Sequence, residues 1–138
     1  MSQWIKGTHG GTYGGNAVSC AAAAATIKVL REEKLIENSA ALGNNLLARL
    51  KNLQVDFPRI GDVRGLGLMV ATEFTHQGDP DTETAKAVWR HCLDNNLLLL
   101  TCGPYGNVIR WIPPLMIDET HLEEGLQIFQ AALDRYAA

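Results

Sequence analysis

Apolar positions recur along this chain with two different periods, and the change of period divides it into elements. After an irregular, glycine-broken arm over residues 1–15, the run "AVSCAAAAATIKVL" is rich in strong helix formers and has no breaker, which predicts a helix from about Ala17 to Lys34. Asn16 stands where a side-chain oxygen can cap that helix. Leu42, Leu46, Leu50 and Leu53 then fall on one face of a second helix near Glu37–Leu53. Past Pro58 and Gly61 the period shortens. In "VRGLGLMVATEF" the residues Leu66, Leu68, Val70, Thr72 and Phe74 alternate as in a strand. "THQGDPD" reads as a turn, with Asp81 as the cap of a third helix whose apolar face is Ala85, Val88, Trp89 and Cys92. "NLLLLTC" reads as a buried strand, "CGPYGN" as a turn and "VIRWI" as another strand. After Pro113 and Pro114, Asp118 caps a last helix that aligns Leu122, Leu126, Phe129 and Leu133. The predicted order is α-α-β-α-β-β-α, an α+β fold with a small antiparallel-rich sheet and helices packed on one face.

Composition narrows the function classes. A chain of 138 residues fits one compact domain that buries roughly two-thirds of its unfolded surface. The net charge is −3, and the lysines and arginines form no basic stripe or polybasic cluster, so neither nucleic acid nor a membrane surface is an expected partner. Apolar runs are far short of a bilayer span, and "MSQWIKG" lacks the features of a signal peptide. Cys20, Cys92 and Cys102 are an odd count without CxxC spacing; the expectation is buried thiols in the cytoplasm and no zinc site. His9, His76, His91 and His121 share no metal-ligand spacing and read as surface or packing residues. Glu32, Glu33, Glu123 and Glu124 read as solvated helix-face carboxylates.

Three stretches carry candidate chemistry. "GTHGGTYGGN", residues 7–16, has five glycines directly before a helix. It is neither a P-loop, since Asn16 and Ala17 stand where Lys and Ser/Thr belong, nor a GxGxxG turn. Two readings stand: a structural turn, or an anion site in which backbone N–H groups and the hydroxyls of Thr12 and Tyr13 bind a phosphate. In "CGPYGNVIRWIPPL", Arg110 lies in an apolar strand between Ile109 and Trp111 and needs an acceptor. That acceptor is either a structural carboxylate or the carboxylate of a substrate held in two-pronged fashion. "RGLG", residues 64–67, reads as a backbone bend or a point of close packing.

Taken together and in this order, "GGTYGGN", "GDVRGLGLM" and "CGPYGNVIR" resemble the C-terminal part of class III aminotransferases, with the most likeness to the 4-aminobutyrate branch. The resemblance covers essentially the whole chain. It implies an enzyme dependent on pyridoxal 5'-phosphate that moves an amino group from 4-aminobutyrate or a related ω-amino acid to a 2-oxo acid such as 2-oxoglutarate. It also implies a homodimer in which Thr12, with Gly11 beside it, reaches the cofactor phosphate of the neighbouring subunit, while Arg110 binds the substrate carboxylate. Residues 1–34 would then be an interface arm and a helix leading from the large cofactor domain, and residues 35–138 the small domain. In the family, the lysine that forms the Schiff base precedes the threonine motif by a few tens of residues, and Lys6 does not match it. The expectation is therefore a fragment with no catalytic residue, inactive alone and unable to hold the cofactor stably, whose Met1 is internal or introduced. Two alternatives remain at this point: a non-catalytic α+β binding or dimerisation module, and an ornithine-type or other ω-amine aminotransferase.

Overall fold

The computed structural model describes residues 5, 7–8 and 10–137. They fall into two compact units, one reaching to Leu35 and the other running from Ile36 onward.

The first unit is the glycine-rich arm and helix α1 (Ala17–Glu32). Asn16 caps it as the sequence requires: its side-chain oxygen accepts from the Ser19 amide at 3.1 Å, satisfying one of the free N–H groups at a helix start. None of the α1 side chains is buried. Cys20 is therefore exposed, against the expectation of a buried thiol. The surface or packing readings of Lys6 and His9 lie outside the described residues.

The second unit contains α2 (Leu35–Asp56, but for its first residue), β1 (Ile60–Leu66), β2 (Met69–His76), β3 (Asp79–Pro80), α3 (Thr82–Asp94), β4 (Leu100–Cys102), β5 (Val108–Trp111) and α4 (Glu119–Tyr136). The sheet order is β1-β2-β5-β4, antiparallel throughout, with the two-residue β3 paired to β2. One sheet face carries Val63, Val70, Phe74, Ile109 and Trp111 into a single core with Leu46 and Leu50 of α2, Ala85, Val88 and Cys92 of α3, and Leu122, Leu126, Phe129 and Leu133 of α4. Trp111 meets Phe129 edge-on, with ring centroids 5.1 Å apart. The fold is thus α+β, with helices gathered on one side of a small antiparallel sheet.

Asp81 and Asp118 cap α3 and α4 by accepting from the Thr84 and His121 amides at 3.0 and 2.9 Å. Three expectations need correction. The alternating run through Leu66 and Phe74 is two strands rather than one: Gly67 and Leu68 form a turn that pairs Leu66 with Met69, so Val70, Thr72 and Phe74 share a face with Val63 and Gly65 while Leu66 lies on the other, 85% exposed. In "NLLLLTC" only Leu100–Cys102 is strand, at the sheet edge; Leu98 is 76% exposed, and Cys102 is only partly buried. Glu123 is not merely solvated: Arg49 donates to both its oxygens, at 2.7 and 3.1 Å.

"RGLG" is both a bend and a point of close packing. Gly67 has φ +54°, the left-handed region that favours glycine. A Cβ on Gly65 would stand 2.4 Å from the carbonyl oxygen of Met69.

Candidate active site

Arg110 occupies the middle of β5, paired with Ala71 of β2 on one side and Leu100 of β4 on the other. Alternation along the strand puts Ile109 and Trp111 into the helix-covered core and turns Arg110 to the opposite face. That face holds Asp62 and Arg64 on β1, Ala71 and Glu73 on β2, and Arg110 on β5, since directly paired residues share a side.

The arginines of the second unit differ in how they are satisfied. Arg49, Arg59, Arg64 and Arg90 are ion-paired to Glu123, Asp81, Asp62 with Glu73, and Asp94 respectively. The Arg135 guanidinium stacks over the Tyr136 ring at 5.3 Å. Arg110 is half-buried, its Nε is buried without a hydrogen-bond partner, and among the described residues no carboxylate pairs with it. It borders a cavity of about 410 Å³ whose other walls include Leu98, Leu100, Ile112, Pro113 and His121. His121 also lines it; hydrogen bonding and charge from Asp118, 2.7 Å away, raise its pKa.

The glycine loop belongs to the first unit, so its geometry is described within that unit. Gly15 has φ +79°, a backbone demand that explains one glycine. Gly11 accepts a turn bond at its carbonyl from the Gly14 amide at 3.2 Å, and the Tyr13 carbonyl accepts from the Asn16 amide at 3.1 Å. No positive φ is found at Gly10 or Gly11, and nothing lies within 4 Å of where their Cβ atoms would stand. Two adjacent glycines therefore have no steric reason within this unit. Thr12, exposed in the same turn, presents a hydroxyl beside backbone that a ligand could approach closely. An exposed hydroxyl beside glycine backbone that no side chain crowds is compatible with a phosphate ester.

The cluster that sequence reasoning missed is Asp62–Arg64–Glu73. Arg64 Nη1 donates to Asp62 Oδ2 at 2.6 Å and to Glu73 Oε2 at 2.7 Å. The signal was present in the alternation of Asp62 and Arg64, but it needed the β1–β2 turn to be recognised first. Asn107, fully buried, donates to the Phe74 carbonyl at 2.9 Å and reaches Glu73 Oε1 at 3.5 Å; nothing in the local sequence marks it. Among the described residues no histidine, cysteine and carboxylate cluster has the form of a metal site, and no helix is long and apolar enough to cross a membrane.

Known proteins with the same pattern place this geometry in a family. The model of "Aminotransferase class-III" matches residues 1–133. The 5-aminovalerate aminotransferase DavT of Pseudomonas aeruginosa is 45% identical over 99% of this chain and 33% of its own. The 4-aminobutyrate aminotransferase GabT of Escherichia coli is 40% identical over 97% of this chain and 32% of its own. Among solved structures, a PLP-bound amine transaminase from an uncultivated Pseudomonas species superposes with a TM-score of 0.82 at 28% identity, over 95% of this chain and 30% of that one. The chain thus spans about a third of the length of the curated relatives it matches. With a family model covering nearly all of its residues, this chain belongs to the class III aminotransferases.

Proposed function

We propose that these residues form the C-terminal part of a pyridoxal-phosphate transaminase that takes the amino group of 4-aminobutyrate or a related ω-amino acid and delivers it to a 2-oxo acid, 2-oxoglutarate. Residues 1–34 are the interface arm and connecting helix, and residues 35–138 the small domain, of an enzyme that acts as a cytoplasmic homodimer. The bound cofactor supplies the electron sink that lets a proton leave the amino-bearing carbon. This chain's own residues position the reactants. Thr12 donates its hydroxyl, and the Gly11 backbone its close approach, to the phosphate of the cofactor in the neighbouring subunit. Arg110 receives the carboxylate of the substrate in its planar fork and fixes which end of the molecule points toward the reacting centre. No residue here is assigned as the lysine that carries the cofactor, so the segment alone is inactive.

The observation that carries this reading is the state of Arg110. A half-buried guanidinium with no carboxylate partner among the described residues and a buried Nε without an acceptor is costly to keep, because desolvation there is not offset within them. An anionic ligand offsets it. The test is Arg110→Ala in the whole transaminase. Truncating one partner of such a pair costs roughly 2–5 kcal/mol, so kcat/KM for carboxylate substrates should fall about thirtyfold or more. Amines without that carboxylate should lose far less in their own half-reaction. An equal loss for both kinds of substrate would end the assignment.

A further inference from the structure

β5 is short, and little on either side of it continues its ladder. It has four residues, Val108–Trp111. Before it, the turn carries two glycines in the left-handed region, Gly103 at φ +84° and Gly106 at φ +66°. After it, Pro113 and Pro114 have no N–H with which to extend a sheet. Arg110 pairs with Ala71, and the register runs back through Thr72–Ile109 to Glu73–Val108. The next rung in that register joins Phe74 to Asn107.

That rung is half backbone and half side chain. The Phe74 amide donates to the Asn107 carbonyl at 2.8 Å. In a regular antiparallel rung the Asn107 amide would return the bond; here the side-chain Nδ2 of Asn107 donates to the Phe74 carbonyl instead, at 2.9 Å. The same carbonyl accepts from the Asp81 amide at 3.0 Å, so Phe74 ties the start of β5 to the cap of α3. Asn107 is 1% exposed, and its Nδ2 also reaches Glu73 Oε1 at 3.5 Å. A side-chain amide this deeply buried is costly unless bonded, and both of these contacts go to β2. Since Phe74–Asn107 is a hydrogen-bonded pair, alternation makes Ala71–Arg110 a non-hydrogen-bonded one. The Arg110 backbone is thus held to β2 only through the rungs on either side of it, and Asn107 closes the ladder on the side of the turn.

We propose that Asn107 is a positioning residue for carboxylate recognition: its side-chain amide completes the last rung between β5 and β2 and so fixes where Arg110 stands on the sheet face. The inference rests on the reading of Arg110 given above and extends it to a buried residue three positions away that touches no substrate. A two-pronged contact demands close alignment, and small misplacements of a binding group are expensive. Without the amide, the start of β5 is released from β2 next to a permissive turn. Arg110 then spends part of its time out of place, and the apparent affinity for the substrate falls by the fraction of molecules in which it is still aligned.

The experiment uses the whole holoenzyme with Asn107→Leu, Asn107→Ala, Arg110→Ala, and Asn107→Leu combined with Arg110→Ala. Leu133→Ala, a truncation of a fully buried core residue on α4, serves as a destabilised control. Asn107→Leu keeps much of the shape and removes the donor, and the Phe74 carbonyl retains the Asp81 amide, so no acceptor is stranded. For each variant the half-reactions are measured with a carboxylate substrate and with an amine lacking the carboxylate, and the binding of glutarate, an unreactive dicarboxylate, by calorimetry. Asn107→Leu should raise KM for the carboxylate substrate and the dissociation constant of glutarate by about fivefold, with kcat at saturation and the amine half-reaction little changed. In the Arg110→Ala background the same substitution should add almost nothing, because it acts only through the arginine. An Asn107→Leu enzyme that binds glutarate normally would overturn the proposal. So would a full further loss in the Arg110→Ala background, or an equal and equally selective loss in Leu133→Ala. If Asn107→Leu does not fold, Asn107→Ala is read in the same way; failure of both to fold makes Asn107 a residue of the fold alone and overturns the proposal as well. Arg110→Ala separates the two levels. Equal loss for both kinds of substrate in that variant removes the reading of Arg110 and this one with it, whereas selective loss there beside a normal Asn107→Leu removes only the role of Asn107.

Discussion

Gly43 of α2 and Gly67 of the β1–β2 turn lie back to back, so close that a Cβ on Gly43 would come within 2.2 Å of the carbonyl carbon and oxygen of Gly67. Backbone sits against backbone at this point, and Ser39, one helical turn earlier, adds a hydroxyl that accepts from the Leu68 amide at 3.3 Å. The contact fixes the hairpin that carries Arg64 and Glu73 against the helix below it. Gly43→Ala should gain about 1 kcal/mol of helix propensity, yet the methyl group has no side chain to push aside. The net result should be a loss of about 2 kcal/mol or more, because overpacking against backbone is relieved only by moving the helix or the turn. Thermal melting checks it, and a variant as stable as the parent would show that the turn yields freely.

The cap of α3 is also an ion-pair partner, which gives it a pH signature. Burial on its own would raise the Asp81 carboxyl, but the hydrogen bonds from the Thr84 side chain and amide, and then from Arg59, outweigh it and hold the pKa below the ordinary value. A carboxyl depressed in the folded state contributes stability that is complete above its unfolded pKa and is lost as pH falls through the folded one. Asp81→Ala should cost roughly 2 kcal/mol at neutral pH, combining a lost cap with lost charge-assisted bonds. Asp81→Asn, which still caps, should cost less. The gap between Asp81→Asn and the parent should narrow below roughly pH 4, where the native carboxyl begins to protonate. Urea titrations at neutral pH and at low pH measure it; a gap that stays constant would refute the linkage.

How much of this was legible beforehand depended on whether one segment sufficed to read it. The helices were: Leu42, Leu46, Leu50 and Leu53 repeat at helical spacing, and Leu46 and Leu50 are fully buried with the other two packed against the core. All three proposed caps hold their helices. The β1–β2 hairpin was not legible as two strands, because Leu66 and Leu68 continue the apolar spacing of Val70, Thr72 and Phe74 in sequence although the turn puts Leu66 on the opposite face. The leucines at 97–100 misled for a related reason: an apolar run does not say whether a sheet or something else covers it, and only Leu99 of the four is buried. Arg110 could be singled out from its apolar neighbours, but whether it had a carboxylate partner required the register of three strands. The Asp62–Arg64–Glu73 cluster was invisible for the same reason.

Thr12 separates a phosphate contact from a mere turn. Its hydroxyl is exposed in the glycine loop, and the glycines at 10 and 11 meet no side chain or backbone that would exclude a Cβ. A hydrogen bond to a charged group contributes about 1.5–3 kcal/mol, so Thr12→Ala in the assembled enzyme should weaken retention of pyridoxal phosphate about tenfold or more. Folding should be little affected, since the residue supports no core. Equilibrium dialysis of the cofactor reads the effect, and an unchanged dissociation constant would reduce the loop to a turn.

The stability of Arg110 variants distinguishes a binding arginine from a structural one even without kinetics. A structural arginine is held by a partner, and removing it strands that partner; the cost is then about 3–5 kcal/mol for a buried pair. Among the described residues Arg110 has no such partner, and its Nε already lacks an acceptor. Arg110→Ala should therefore leave the melting temperature nearly unchanged or raise it, because a poorly compensated charge leaves the interior. Arg110→Met, which keeps much of the aliphatic stem that packs beside Ala71 and Leu100, should be at least as stable as Arg110→Ala. Arg110→Lys should bind carboxylate substrates better than either, yet recover only part of the loss, since a single ammonium cannot reproduce the planar two-pronged fork. The comparison that matters is melting temperature set against substrate affinity across the three variants. If the melting temperature falls steeply in Arg110→Ala and Arg110→Met and recovers in Arg110→Lys, the charge is structural and the carboxylate-binding role fails. If stability stays flat while affinity follows Arg, then Lys, then Met and Ala, the guanidinium is held in reserve for a ligand.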